Sequence, residues 1–92
     1  MRSFEAFKRK MLRNPAIKKE YDALEEEFAL ASELIGARAK AKLSQAQVAQ
    51  RMGTSQSAVA RLESGHAPSL TSLRKYARAV GRKVQIKLAK AG

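Results

Sequence analysis

Gln45, Ser55, Gln56, Ser57 and Arg61 lie within one run, Ser44 to Gly65, that reads SQAQVAQRMGTSQSAVARLESG. Their chemistry is that of recognition. A Gln amide offers a donor and an acceptor together and matches N6 and N7 of adenine, while Arg suits guanine or a phosphate. Groups for bond-breaking chemistry are scarce. There is no Cys and one His, and the acids Glu25, Glu26 and Glu27 fall as a helix-face run. No catalytic constellation can be assembled from these, so no enzyme is expected. Thiolate and His-cluster metal sites are excluded on the same grounds, and no cofactor is expected.

To place those polar side chains at one surface, two short helices must flank a tight turn. Val48, Ala49 and Met52 give an apolar face after Ser44, an N-cap residue, and Gly53 suits the turn. Ser55 then caps a second helix with Val59 and Leu62 inward, closed at Gly65. A small residue at 49 lets the two helices cross closely. Gln56, Ser57, Ala60 and Arg61 are left on the outer face of the second helix.

The charge of the chain agrees with a polyanionic partner. Through Ala37 there are seven basic and seven acidic residues, whereas from Arg38 onward twelve Lys/Arg stand against Glu63 alone, so the whole +11 excess lies there. Such asymmetry points to a polyanion, most often nucleic acid, or else to a basic solubilising surface. Few aromatics are available for stacking on single strands, which favours a duplex. At 92 residues without Trp the chain forms one small domain with a thin core, a deficit that dimerisation often relieves. No apolar run approaches a membrane span of roughly 20 residues. The start, Met1 to Glu5, lacks a signal-peptide core, so a cytoplasmic protein is expected.

Helical spacing also runs outside the motif. Phe4, Phe7, Met11 and Leu12 share one side of a stretch from about Ser3 to Arg13. Asn14-Pro15 reads as an N-cap followed by a first-turn proline. Leu24, Phe28, Ala31 and Ile35, with Leu34, continue the helix period, and the spacing leaves open whether one helix or two covers residues 15–42. Ser69 caps a further helix carrying Leu70, Leu73, Tyr76, Ala77 and Val80, which Gly81 stops. Lys83 to Leu88 alternates polar and apolar and reads as a half-buried β-strand. A lone strand lacks partners, so Val84, Ile86 and Leu88 either pair with a two-fold mate or another sheet edge, or form a frayed tail.

Ser44-Gln45, Val48-Ala49, Gly53, Thr54 to Ser57, Val59, Arg61 to Glu63 and Gly65, followed by Pro68, Leu70, Leu73 and Ala77, resemble the Xre/Cro family of helix-turn-helix proteins, which includes lambdoid phage repressors. The resemblance implies a mainly α fold. That fold is a five-helix, lambda-repressor-like DNA-binding domain over 25–82, with an N-terminal helical extension over 1–24 and a C-terminal β-strand and tail over 83–92. It implies base contacts from Ser55, Gln56, Ser57 and Arg61, and phosphate contacts from Arg38, Gln45, Ser69 and Thr71; Lys42, by its own charge, adds a further phosphate contact. Gln45 would also buttress Gln56, and Arg38 would pair with Glu63. His66 is either a further phosphate contact or a loop residue. Many members carry glycine where this chain has Lys42, so the turn there is either built differently or holds Lys42 at strained φ.

Asn14-Pro15, Glu20 to Leu24, Glu27-Phe28, the recognition region Ser55 to Gly65 and the basic final strand together resemble HigA-type antitoxins. That resemblance implies a homodimer on a double-stranded operator and a RelE/HigB-like toxin as partner; the composition itself speaks for no membrane and no metal. Phe4, Phe7, Met11 and Leu12 would then contact toxin, with Glu25 to Glu27 facing it, or else pack on the domain. A free-standing Xre-type regulator is the competing expectation.

Overall fold

The computed structural model describes residues 2–91, with side chains described from Glu5 onward, so Phe4's side chain lies outside the described residues. Five helices follow in order: α1 (Arg2–Leu12), α2 (Pro15–Lys40), α3 (Gln45–Met52), α4 (Gln56–Leu62) and α5 (Leu70–Ala79). Helix starts are set by local side chains. Asn14 accepts from the Ala16 amide, Ser55 from Ala58 and Ser69 from Ser72. Ser44 and Gln47 form a reciprocal capping box at α3.

Residues 15–40 form one continuous helix, with no break at Leu24. Nothing in the segment stops it, because its one Pro sits in the first turn and Gly36 has open space around it. This helix has two apolar faces at helical spacing. Leu34 is buried, and Leu30, Ala37 and Ala41 pack against the core beside it. Leu24, Phe28 and Ile35 turn outward and stay exposed. The rest of the core is Val48, Ala49, Val59, Tyr76, Ala79 and Val80, with Tyr76 its one buried aromatic ring. Lys8 sits over the Tyr21 ring at 4.8 Å and helps lay α1 along α2.

Three helices end alike. At α2, the Leu43 amide reaches the Arg38 carbonyl and the Lys42 amide that of Ala39; the same pattern closes α3 at Gly53 and α5 at Gly81. This is the Schellman arrangement, which needs a left-handed residue. Lys42 fills that position with φ of 58°, so the strained alternative is the one realised. A left-handed non-glycine residue costs about 1–2 kcal/mol, and glycine's own entropy cost offsets part of any relief. Lys42→Gly should therefore stabilise the domain by about 0.5–1 kcal/mol in urea denaturation.

The expected C-terminal β-strand is not formed. Residues 82–91 lack regular secondary structure, and no strand occurs among the described residues. The polar–apolar alternation favours extended backbone, but a strand is completed only by a neighbour's hydrogen bonds, and the helical remainder of this chain offers none. Val84 is half-buried, while Ile86 and Leu88 are open to solvent.

Candidate nucleic-acid interface

Val48 on α3 and Val59 on α4 are fully buried, and Ala49 is nearly so. These side chains lock the two helices about the turn at Gly53, where the Thr54 amide donates to the Ala49 carbonyl at 2.9 Å. Gln56, Ser57, Ala60 and Arg61 are all exposed on α4, as the spacing required. Ser55 is exposed at its start, and its hydroxyl oxygen accepts the Ala58 amide at 3.1 Å. Ser55 thereby orients the helix that carries the other four.

Behind this face lies a polar cluster. Glu63, buried at the C-terminal end of α4, accepts from Arg38 Nε at 2.6 Å and Nη2 at 3.2 Å. Gln45 Nε2 donates to Glu63 Oε1 at 2.8 Å. The Tyr76 hydroxyl lies 2.5 Å from Glu63 Oε2 and 2.9 Å from the Leu34 carbonyl oxygen. Its single proton is donated as a hydrogen bond to the nearer, charged carboxylate. Arg38 Nη1 also donates to the Leu43 carbonyl. Side chains from α2, α3, α4 and α5 thus meet on one carboxylate.

The electrostatics follow from that arrangement. Burial pushes the Glu63 carboxyl up, but hydrogen bonds from Arg38, Tyr76 and Gln45, with Arg38's charge, outweigh it and leave Glu63 below the ordinary carboxylate value. The Glu63 hydrogen bond raises Arg38 against its own desolvation. Tyr76 is pushed well up by burial, then by Glu63.

Several expected contacts are placed differently from one another. Gln45's amide nitrogen is committed to Glu63, so among the described hydrogen bonds it does not buttress Gln56. Arg38's fork points inward to Glu63 and Leu43, with the side chain 20% exposed. Lys42 and Thr71 are exposed. Ser69's hydroxyl is taken up in capping α5, donating to the Ser72 hydroxyl and accepting its amide. His66 is exposed, with Nδ1 2.7 Å from Glu27 Oε1. Together with Arg61, Thr54, Ser72 and Lys75 it lines a shallow groove between the motif and α5.

Sequence reasoning missed Tyr76 and Lys75. The Tyr76 ring fits the apolar period of α5, so nothing local marks its hydroxyl as part of the brace. Lys75 carried only its charge as a signal. Among the described residues no group of His, Asp and Glu could hold a metal ion, and no helix is long and apolar enough to cross a membrane.

Two short helices locked at a glycine turn, with an exposed polar face on the second, make a helix-turn-helix DNA-binding domain. A helix-turn-helix family model (HTH_3) matches residues 34–90, and the chain belongs to that family. It is an Xre-type, DNA-binding transcription regulator, from a family that is generally non-enzymatic. No curated protein and no solved structure matches the chain.

Proposed function

We propose that this regulator is the antitoxin of a type II toxin–antitoxin module. It represses its own operon as a two-fold dimer and neutralises a RelE/HigB-like mRNA-cleaving toxin. The observation that carries this reading is a division of surfaces. The outward face of α4 lies inside the family match, whereas Phe7 and Met11 stand exposed on α1, outside it. A free-standing regulator would instead use that second surface for dimerisation or inducer response. Phe7 and Met11, with half-buried Leu12 and with Phe4, are the toxin contacts, and a polar rim would surround them. Deletion of residues 1–14 is expected to abolish toxin binding and leave operator binding intact. Lost DNA binding with toxin binding retained rejects the assignment.

On DNA, α4 enters the major groove, with Gln56, Ser57 and Arg61 at base edges and Ser55 at the helix entry. Lys42, Gln45 and Thr71 contact phosphate, with Ser69 and the α5 amides beside them. Arg38 acts through its charge and through the brace it forms with Glu63. Gln56→Ala should reduce discrimination between operator and scrambled duplex by about 1–3 kcal/mol per half-site. Equal weakening on both duplexes rejects base reading by Gln56.

The dimer draws on the tail. Val84, Ile86 and Leu88 of two copies supply each other's missing strand partner, completing the backbone hydrogen bonds that one chain leaves open. Truncation after Arg82 should yield a monomer in sedimentation velocity. An unchanged dimer removes the tail from the interface.

A further inference from the structure

The exposed face of α2 is a second apolar surface, separate from α1. Leu24, Phe28 and Ile35 are 53%, 72% and 42% exposed and fall on one side of the helix. At about 3.6 residues per turn, Glu20 and Glu27 flank this stripe on one side and Glu25 on the other. From Glu20 to Ala37 the helix carries six carboxylates and no Lys or Arg. An aromatic anchor within a charged rim is the makeup of a protein-docking surface.

The charges select the occupant. A second copy seated two-fold on the stripe sets these glutamates against their own copies. Nucleic acid is repelled for the same reason. A basic protein with an apolar patch satisfies both the anchor and the rim.

Glu27 also faces the DNA-binding half. Its carboxylate holds His66 at 2.7 Å. Gly65 packs so tightly on α2 that a Cβ there would overlap the Glu27 carbonyl oxygen. His66 in turn lines the groove with Arg61 and Lys75. A cation arriving at Glu27 therefore competes with the loop that follows the recognition helix.

We infer that the Leu24–Phe28–Ile35 face of α2 docks a basic protein partner, and that docking displaces His66 from Glu27 and so registers at the DNA-facing groove. The identity of the partner rests on the antitoxin reading; the surface and the clasp rest on the geometry above. The probe is the product of the reading frame adjacent to this chain's own, purified and titrated against the full-length protein. Leu24→Ala/Phe28→Ala should weaken its binding at least tenfold without changing affinity for a duplex or the sedimenting mass. Glu20→Lys/Glu25→Lys, which disturbs no core packing, should weaken partner binding at least as much. Affinity within twofold of wild type in both variants overturns the surface and leaves the antitoxin reading standing. No binding to the wild-type chain overturns the antitoxin reading and, with it, the partner. Loss of mass in the alanine variant makes the stripe a self-interface and overturns the inference. Saturating partner should lower the wild-type chain's duplex affinity severalfold. Glu27→Ala, which removes the acceptor for His66, should start near that lowered level and respond less, and a full response in that variant overturns the clasp.

Discussion

Glu63→Ala is expected to cost this domain about 3 kcal/mol of stability. The carboxylate holds three side chains from three helices. Removing one partner of a buried ion pair costs roughly 3–5 kcal/mol, since the other charge stays desolvated and unmatched. Arg38 retains 20% exposure and can recover some water, which favours the lower end. Gln45 and Tyr76 lose a charged acceptor at the same time. A domain this size loses about 4–8 °C per kcal/mol, so a fall in Tm on the order of 12–24 °C is expected by circular dichroism. Operator affinity should fall as well, because Glu63 caps α4 and ties it to α2, α3 and α5. Arg38→Ala/Glu63→Ala should fall short of the summed single losses by about 1–3 kcal/mol, as it leaves no stranded charge. Strict additivity would show that the two residues do not act as a pair.

The same carboxylate sets an acid limit. Glu63 titrates below its ordinary value near 4.5 in the folded state. Its contribution is thus fully present above that value and is lost as pH falls from it through the lower folded value. Wild type should lose stability in that window, and the part due to Glu63 should be missing from Glu63→Ala. Tyr76 has the opposite sign. Its raised value means stability falls as pH climbs past the ordinary 10.0.

What the sequence made legible is what local chemistry determines. Ser44, Ser55 and Ser69 cap helices because their hydroxyls reach amides three residues on, and Gly53 turns because it lacks a Cβ. Val48 and Val59 were placed inward by spacing alone. The motif's outer face, Gln56 to Arg61, followed from the same periodicity. The illegible parts depend on distant partners. α2 has apolar residues at helical spacing on two faces, and only the tertiary fold decides that Leu34 is covered while Phe28 is not. Tyr76's hydroxyl meets Glu63 and Leu34 from far along the chain. The tail's alternation was plain, but alternation specifies an extended backbone and not the neighbour that completes a strand. Gly65 falls between these cases. Its place at the end of the motif was visible, but its contact with α2 was not.

That contact makes Gly65→Ala the second severe substitution. Gly65 is buried with φ of 76°, where an alanine costs about 1–2 kcal/mol. Gly53 has nearly the same conformation, φ of 70°, with nothing near the position of an added Cβ. The two sites therefore share the backbone strain and differ in what surrounds the added methyl. At Gly65 the new methyl would overlap the Glu27 carbonyl oxygen and press within 3.2 Å of the Ala31 amide nitrogen. Both are backbone atoms of α2, which cannot rotate aside as a side chain can. Relief requires the loop and the helix to separate, adding about 1–3 kcal/mol of the kind seen on overpacking a core. Gly65→Ala should then cost about 2–5 kcal/mol, and Gly53→Ala only the conformational part, in parallel urea titrations. The separation also pulls on the C-terminal end of α4 and on His66, so Gly65→Ala should weaken duplex binding even under conditions where the variant is fully folded. Equal destabilisation by the two alanines would mean that the loop yields freely, and that Gly65 serves the turn without fixing the recognition helix against α2.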